Sequence, residues 1–188
     1  QLADTQVNAR GAKTATLLAK DNSKIVVTLG AFENPSSTPF GASNYNQDEV
    51  NQRKTIDLRV NDQEEHAFLQ AFDVWAKSYL QQHSERLFKR TMTSAQIEEH
   101  DRSPVTEKES YRPLIRCKIN TAGANAVRCW NAQREVIALP DDLRGCQLLA
   151  QAHFSHLWLM GKSFGFVIQV TDPVSYTHLR AHETRRYL

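Results

Sequence analysis

The pattern that most constrains the fold is a strict alternation near the end of the chain. Phe164, Phe166, Ile168 and Val170 fall on one side of a predicted strand, and Gly165, Val167, Gln169 and Thr171 on the other. That two-residue period belongs to a pleated segment and not to a helix. The preceding stretch, Gln147–Met160, is apolar on both sides, with Phe154, His156 and Trp158 set against His153, Ser155 and Leu157. Hydrophobicity on both faces predicts an interior strand. Gly161-Lys162-Ser163 between the two predicts the turn of a long hairpin.

Strand signals recur upstream. Lys13–Ala19 and Lys24–Leu29 read as strands around the turn-forming Lys20-Asp21-Asn22-Ser23, which predicts a hairpin. Residues 30–54 turn to Gly, Pro, Ser and Asn, the composition of a long flexible surface loop. Thr55–Val60 alternates again, with Ile56, Leu58 and Val60 opposite Asp57 and Arg59. Asp62 followed by Glu65 predicts a capping box, and Phe68, Phe72, Trp75 and Tyr79 recur at helical spacing, so one amphipathic helix is expected over about Gln63–Gln82, its aromatic face on a sheet. Thr93 with Gln96 predicts a second, short helix, followed by a polar connector over Asp101–Ser110.

In Tyr111–Ile119, Arg112, Leu114, Arg116 and Lys118 share one face and Tyr111, Pro113, Ile115, Cys117 and Ile119 the other. Past a turn around Gly123, Val127 and Cys129 point one way, Arg128 and Trp130 the other. Paired as a hairpin, these strands would set Arg116, Lys118 and Arg128 around an exposed Trp130. Cations that neutralise phosphates beside an aromatic ring that stacks on any base make a single-strand nucleic-acid surface. The plain alternative is a Trp130 covered by a neighbouring loop among ordinary surface charges.

Charge is uneven in the same direction. Residues 111–172 carry Arg112, Arg116, Lys118, Arg128, Arg134, Arg144 and Lys162 against Glu135, Asp141, Asp142 and Asp172, whereas acids outnumber bases before them. The overall net charge of +2 owes much to the end of the chain. There, Val174 to Thr184 resembles the translation of a transposase-end adapter used in preparing sequencing libraries. Residues 173–188 are therefore expected to be non-native, with the natural chain reading to about Asp172 and its own C-terminus missing. The expected organisation is one domain over residues 1–172.

Other chemistry finds no carrier. Met160-Gly161-Lys162-Ser163 lacks the first glycine of a phosphate-binding loop, where His156 stands. His153 and His156, three apart on a strand, are expected to face opposite sides, which argues against a metal pair. Cys117, Cys129 and Cys146 have no ligand spacing and read as reduced core residues. No nucleophile and base can be paired, no cofactor is implied, and no apolar run is long enough to span a membrane. A soluble intracellular protein that is not an enzyme is the expectation.

The strand Tyr111-Arg112-Pro113-Leu114-Ile115-Arg116-Cys117-Lys118, the following Arg128-Cys129-Trp130 and the closing Leu157–Gly165 hairpin together resemble the phage-type single-stranded DNA-binding proteins of large DNA viruses of algae and protists. The resemblance is best over residues 111–172. It implies a mostly β fold with α: an OB-like antiparallel barrel of five strands, with one long amphipathic helix inserted before the last two strands and one short helix. It further implies coating of single-stranded DNA during replication, recombination or repair, with little sequence preference, in the host nucleus or a cytoplasmic viral replication site. The family's acidic C-terminal tail, which contacts replication proteins and competes with DNA, has no counterpart here. Self-association into a homo-oligomer is compatible with this reading. The alternatives are a viral structural or assembly protein that uses a β-rich domain for protein contacts, and an enzyme whose active residues the sequence does not reveal.

Overall fold

The computed structural model describes residues 1–7, 12–31, 35–44, 53–108, 111–123, 126–131, 133, 135–140 and 142–175. Its elements are β1 (Gln6–Val7), β2 (Lys13–Thr16), β3 (Ile25–Leu29), β4 (Ser36–Ser37), β5 (Ala42–Asn44), β6 (Arg53–Arg59), α1 (Gln63–Gln82), α2 (Ser84–Phe88), α3 (Ser94–His100), β7 (Val105–Lys108), β8 (Tyr111–Asn120), β9 (Cys129–Trp130), β10 (Val136–Ile137), β11 (Gln147–Met160) and β12 (Ser163–Ser175).

A closed path runs through the sheet. β11 pairs antiparallel with β12, β12 runs parallel to β8, β8 pairs antiparallel with β6, β6 with β4, and β4 returns to β11. This is an OB-like barrel, mostly antiparallel, closed by one parallel contact. Ile56, Leu58, Ile115, Cys117, Leu148, Ala150, Phe154, Ile168 and Val170 fill its interior. Each large apolar side chain buried there stabilises the fold by roughly 1.5–3 kcal/mol. α1 is inserted before the last three strands of the ring (β8, β11 and β12) and not before the last two as expected.

β11 and β12 form the predicted hairpin, turning at Gly161, whose φ of 60 lies in the left-handed region that glycine enters without cost. Neither of the two other predicted hairpins forms. β2 and β3 both pair with β11, at His156–Leu159 and Ala150–Phe154, and β4 follows at Gln147–Leu148. Three short strands thus lie end to end along one edge of β11. β8 and β9 likewise follow one another along β12, at Gln169 and Val174, with the intervening loop closed by the Val127 N–H donating to the Asn120 carbonyl. A strand of 14 residues, about 46 Å at ~3.3 Å per residue, has an edge long enough to take such a series.

α1 has the expected bounds. The Asp62 carboxylate accepts the Glu64 and Glu65 N–H groups at 2.8 and 3.1 Å. Glu65, however, accepts the Gly30 N–H at 2.7 Å instead of reaching back to complete a capping box. The buried stripe is Leu69, Ala76 and Leu80; Phe72 packs edge-on to Phe154 and Phe166, while Phe68 and Trp75 flank it at 38% and 37% exposure. The capping box appears instead at Thr93 and Gln96, opening α3. Residues 30–54 hold β4, β5 and the start of β6, with Ser36 and Thr38 buried, and the connector after Asp101 holds β7. The three cysteines are buried and form no disulfide among the described residues. β12 keeps its pairing with β11 through Ser175, three residues beyond the expected natural end at Asp172. No helix among the described residues is long and apolar enough to cross a membrane.

Candidate nucleic-acid interface

With Ile56, Leu58, Ile115, Cys117 and Ile119 turned inward, the pleat turns the intervening residues of β6 and β8 outward. The register sets Arg53 opposite Asn120, Thr55 opposite Lys118, Asp57 opposite Arg116 and Arg59 opposite Leu114, with Arg112 at the end of the same row. The outer face of this strand pair therefore carries Arg53, Arg59, Arg112, Arg116 and Lys118 against one carboxylate, Asp57.

The five cations are held differently, and Arg59 keeps its Nε buried with no hydrogen-bond partner among the described residues. Arg116 forms a two-point contact with Asp57, Nε to Oδ1 at 2.9 Å and Nη2 to Oδ2 at 3.1 Å, which raises its pKa further. Arg112 donates to Asn61 Oδ1 at 3.1 Å, and Arg53 to Asn120 Oδ1 at 3.2 Å. Lys118 Nζ donates to Thr55 Oγ1 at 2.9 Å. Burial first, and then the positive charges of Arg116 and Arg53, push the Lys118 ammonium down to about 8. Asp57 thus leaves a positive potential across this face that Lys118 itself senses.

The face continues over β12 onto β11. An extra residue at Ser155 shifts the β11 register, so that His153 opposes Gln169 and His156 opposes Val167. The bulge places both histidines on the outer side, contrary to the expectation that they face apart. Both are pushed below the usual imidazole range, first by burial, then His156 by Arg53 and His153, and His153 by Lys24. They have no third partner for a metal: no suitable group of three occurs among the described residues.

Trp130 reaches this face by a route other than a β8–β9 hairpin. Lys118 and Trp130 pair with Gln169 and Val174, which in turn oppose His153 and Leu149 of β11. A second bulge, at Thr171, makes the step between them an even number of pleats, so Lys118 and Trp130 share the outer side about 13 Å apart at ~3.3 Å per residue. Trp130 is half-buried, and Arg128 beside it is exposed. Arg134 lies outside the described residues. Arg144, exposed in the turn before β11, and Lys162, exposed at the hairpin tip, stand at opposite ends of β11 and do not join this group.

Arg53 and Arg59 were not among the sequence-derived candidates, although the alternation that turns Ile56 and Leu58 inward turns both of them out. What the alternation does not reveal is that β6 lies beside β8.

The chain matches no protein-family model, and no curated protein resembles it in sequence. Among solved structures it is similar to gp2.5, a single-stranded DNA binding protein encoded by bacteriophage T7, at 11% identity and a TM-score of 0.56 over 82% of this chain and 87% of that one. It is also similar to the C-terminally truncated single-stranded DNA-binding protein from bacteriophage Enc34, at 9% identity and a TM-score of 0.48 over 94% and 93%. The likeness to gp2.5 is one of fold.

Proposed function

We propose that this domain binds single-stranded DNA across the outer face of β6 and β8, with little sequence preference and without catalysis. One observation carries the reading: five cationic side chains share one outer strand-pair face of an OB-like barrel with a single carboxylate. Such a face neutralises phosphates and reads no base edge, which is why binding is general. Trp130, on the same side, supplies the ring on which a base stacks, and Arg128 a further cation. The fold shared with gp2.5 supports the reading. Coating DNA during viral replication, recombination or repair inside an infected cell is the setting it suits.

The test is the affinity of the full chain for labelled oligo-dT as a function of salt. Arg53→Ala and Lys118→Ala should each weaken binding to every sequence and flatten the slope of log K against log salt by about 0.7. Arg116→Ala should flatten it less, because Asp57 already neutralises that guanidinium. Trp130→Ala should weaken binding at all salt concentrations with the slope unchanged, by about 1–3 kcal/mol. Salt-independent binding, or a Trp130→Ala protein that unfolds while the affinity of the folded fraction is intact, would refute the proposal.

A further inference from the structure

A second cationic feature stands at the far end of the barrel. Between the β11–β12 tip, β2 and α2 opens a groove of about 460 Å³, its floor made by Leu87, Phe88, Leu159 and Met160 and its rim by Lys13, Arg90 and Lys162. All three cations are exposed, and none has an ion pair or hydrogen bond among the described residues. No carboxylate among the described residues lines the groove. Met160 is 65% exposed, an unusual position for an unbranched apolar side chain unless something covers it.

We propose that this groove docks a short acidic peptide of a partner protein, several carboxylates arranged around one bulky apolar side chain. The carboxylates meet the unpaired rim, and the apolar residue lies against Met160 and Leu159, whose thioether and branched surfaces adapt to a side chain of no fixed shape. The lining favours a peptide over a nucleic acid. Phe88 is its one aromatic among the described residues, and that half-buried ring already packs against Phe164 at a centroid distance of 5.0 Å, which leaves a poor platform for a base. The strand that follows the tip does not turn back to the groove. β12 leads away from the tip for 13 residues, about 40 Å at ~3.3 Å per residue.

The groove also lies away from Lys118 on the β6–β8 face. Lys118 pairs at Gln169, seven residues along β12 from Lys162, or roughly 23 Å, more than two Debye lengths of about 8–10 Å at physiological salt. The inference goes beyond the DNA-binding reading and does not rest on it.

The test uses the full chain and a fluorescein-labelled peptide of Asp and Glu around one Phe, read by anisotropy, with oligo-dT affinity measured on the same samples. The expected result is saturable, salt-sensitive binding, weakened about fivefold or more by Arg90→Glu and by Lys162→Glu separately. Replacing the peptide's Phe by Gly should weaken it about tenfold. Arg53→Ala and saturating oligo-dT should leave peptide affinity unchanged. Both charge reversals are at exposed positions, and unaltered thermal melting confirms that the fold is intact. Absence of peptide binding, or equal binding by the charge-reversed variants, overturns the proposal. So does displacement of the peptide by oligo-dT with oligo-dT affinity lost in the same variants, which would make the groove a nucleic-acid contact.

Discussion

Raising the pH from 7 to 9 should weaken single-strand binding through one side chain, Lys118. Its ammonium sits at about 8 because burial, Arg116 and Arg53 all disfavour the charge. A phosphate seated on it reverses that balance and returns the group towards its ordinary value of about 10.4, so binding takes up a proton wherever Lys118 is neutral beforehand. From a free-state value of about 8, roughly nine in ten Lys118 side chains are charged at pH 7 and about one in eleven at pH 9. Affinity should accordingly fall about tenfold over that interval, or about 1.4 kcal/mol. His153 and His156, already held low, titrate below this window and contribute nothing to it. Anisotropy with labelled oligo-dA, whose bases do not ionise in this range, at fixed ionic strength, reads the effect. Lys118→Arg, permanently charged, should give a flat profile, and Arg53→Ala should move the midpoint upward by removing one of the repelling charges. A flat profile in the unaltered protein, or an undiminished slope in Lys118→Arg, would show that no phosphate contacts this ammonium.

Asp57→Ala releases Arg116 from its carboxylate, so oligo-dT should bind more tightly with a salt slope steeper by about 0.7, while chemical denaturation should show a loss below about 1 kcal/mol for this surface pair. Leu80→Ala empties a fully buried position at the α1 contact and should cost about 2–5 kcal/mol by urea midpoint, well beyond the cost of Val74→Ala on the exposed side. Asp101 is pushed up to about 6 by burial and then by Asp73. The folded chain then holds more protons than the unfolded one between about pH 4 and 6, so stability falls as pH rises through that window. Asp101→Asn should therefore melt higher than the unaltered protein at pH 7 and no higher at pH 4, as followed by circular dichroism.

What could be read from the sequence depended on whether the signal was local. α1 begins and ends where its Asp62 cap and helical spacing place it, because cap and period lie within one segment. Its aromatic face packs on the sheet as the spacing predicts, Phe68 and Phe72 against Phe154, while Leu69, Ala76 and Leu80 beside it sit deeper. The outward direction of Arg116 and Lys118 was legible from the two-residue period alone. Their neighbours were not: Asp57 and Arg53 are some sixty residues earlier in the chain, and alternation reports a face without reporting which strand lies at the edge. The two missed hairpins have the same cause. Turn residues at Asp21–Ser23 and around Gly123 do bend the chain, but into excursions that return it to the same edge of β11 or β12. The bulges at Ser155 and Thr171, which decide where His156 and Trp130 point, break the alternation with no residue type that marks them.

The three short strands strung along β11 have a kinetic meaning. β2 meets Leu159 and its neighbours from more than a hundred residues away, and β3 and β4 pair at similar separations, so the earliest part of the barrel depends on its most distant contacts. Contacts of such span are slow to form, because the loop they close must be organised before any pairing rewards it. The β11–β12 hairpin is local and can form first, which makes it the template on which the N-terminal strands dock. On a ribosome adding about 5–20 residues per second, β3 would emerge and wait of the order of ten seconds for its partner. Through that interval Val26, Val27 and Leu29 have no sheet to join, and the first strands synthesised are the last to fold.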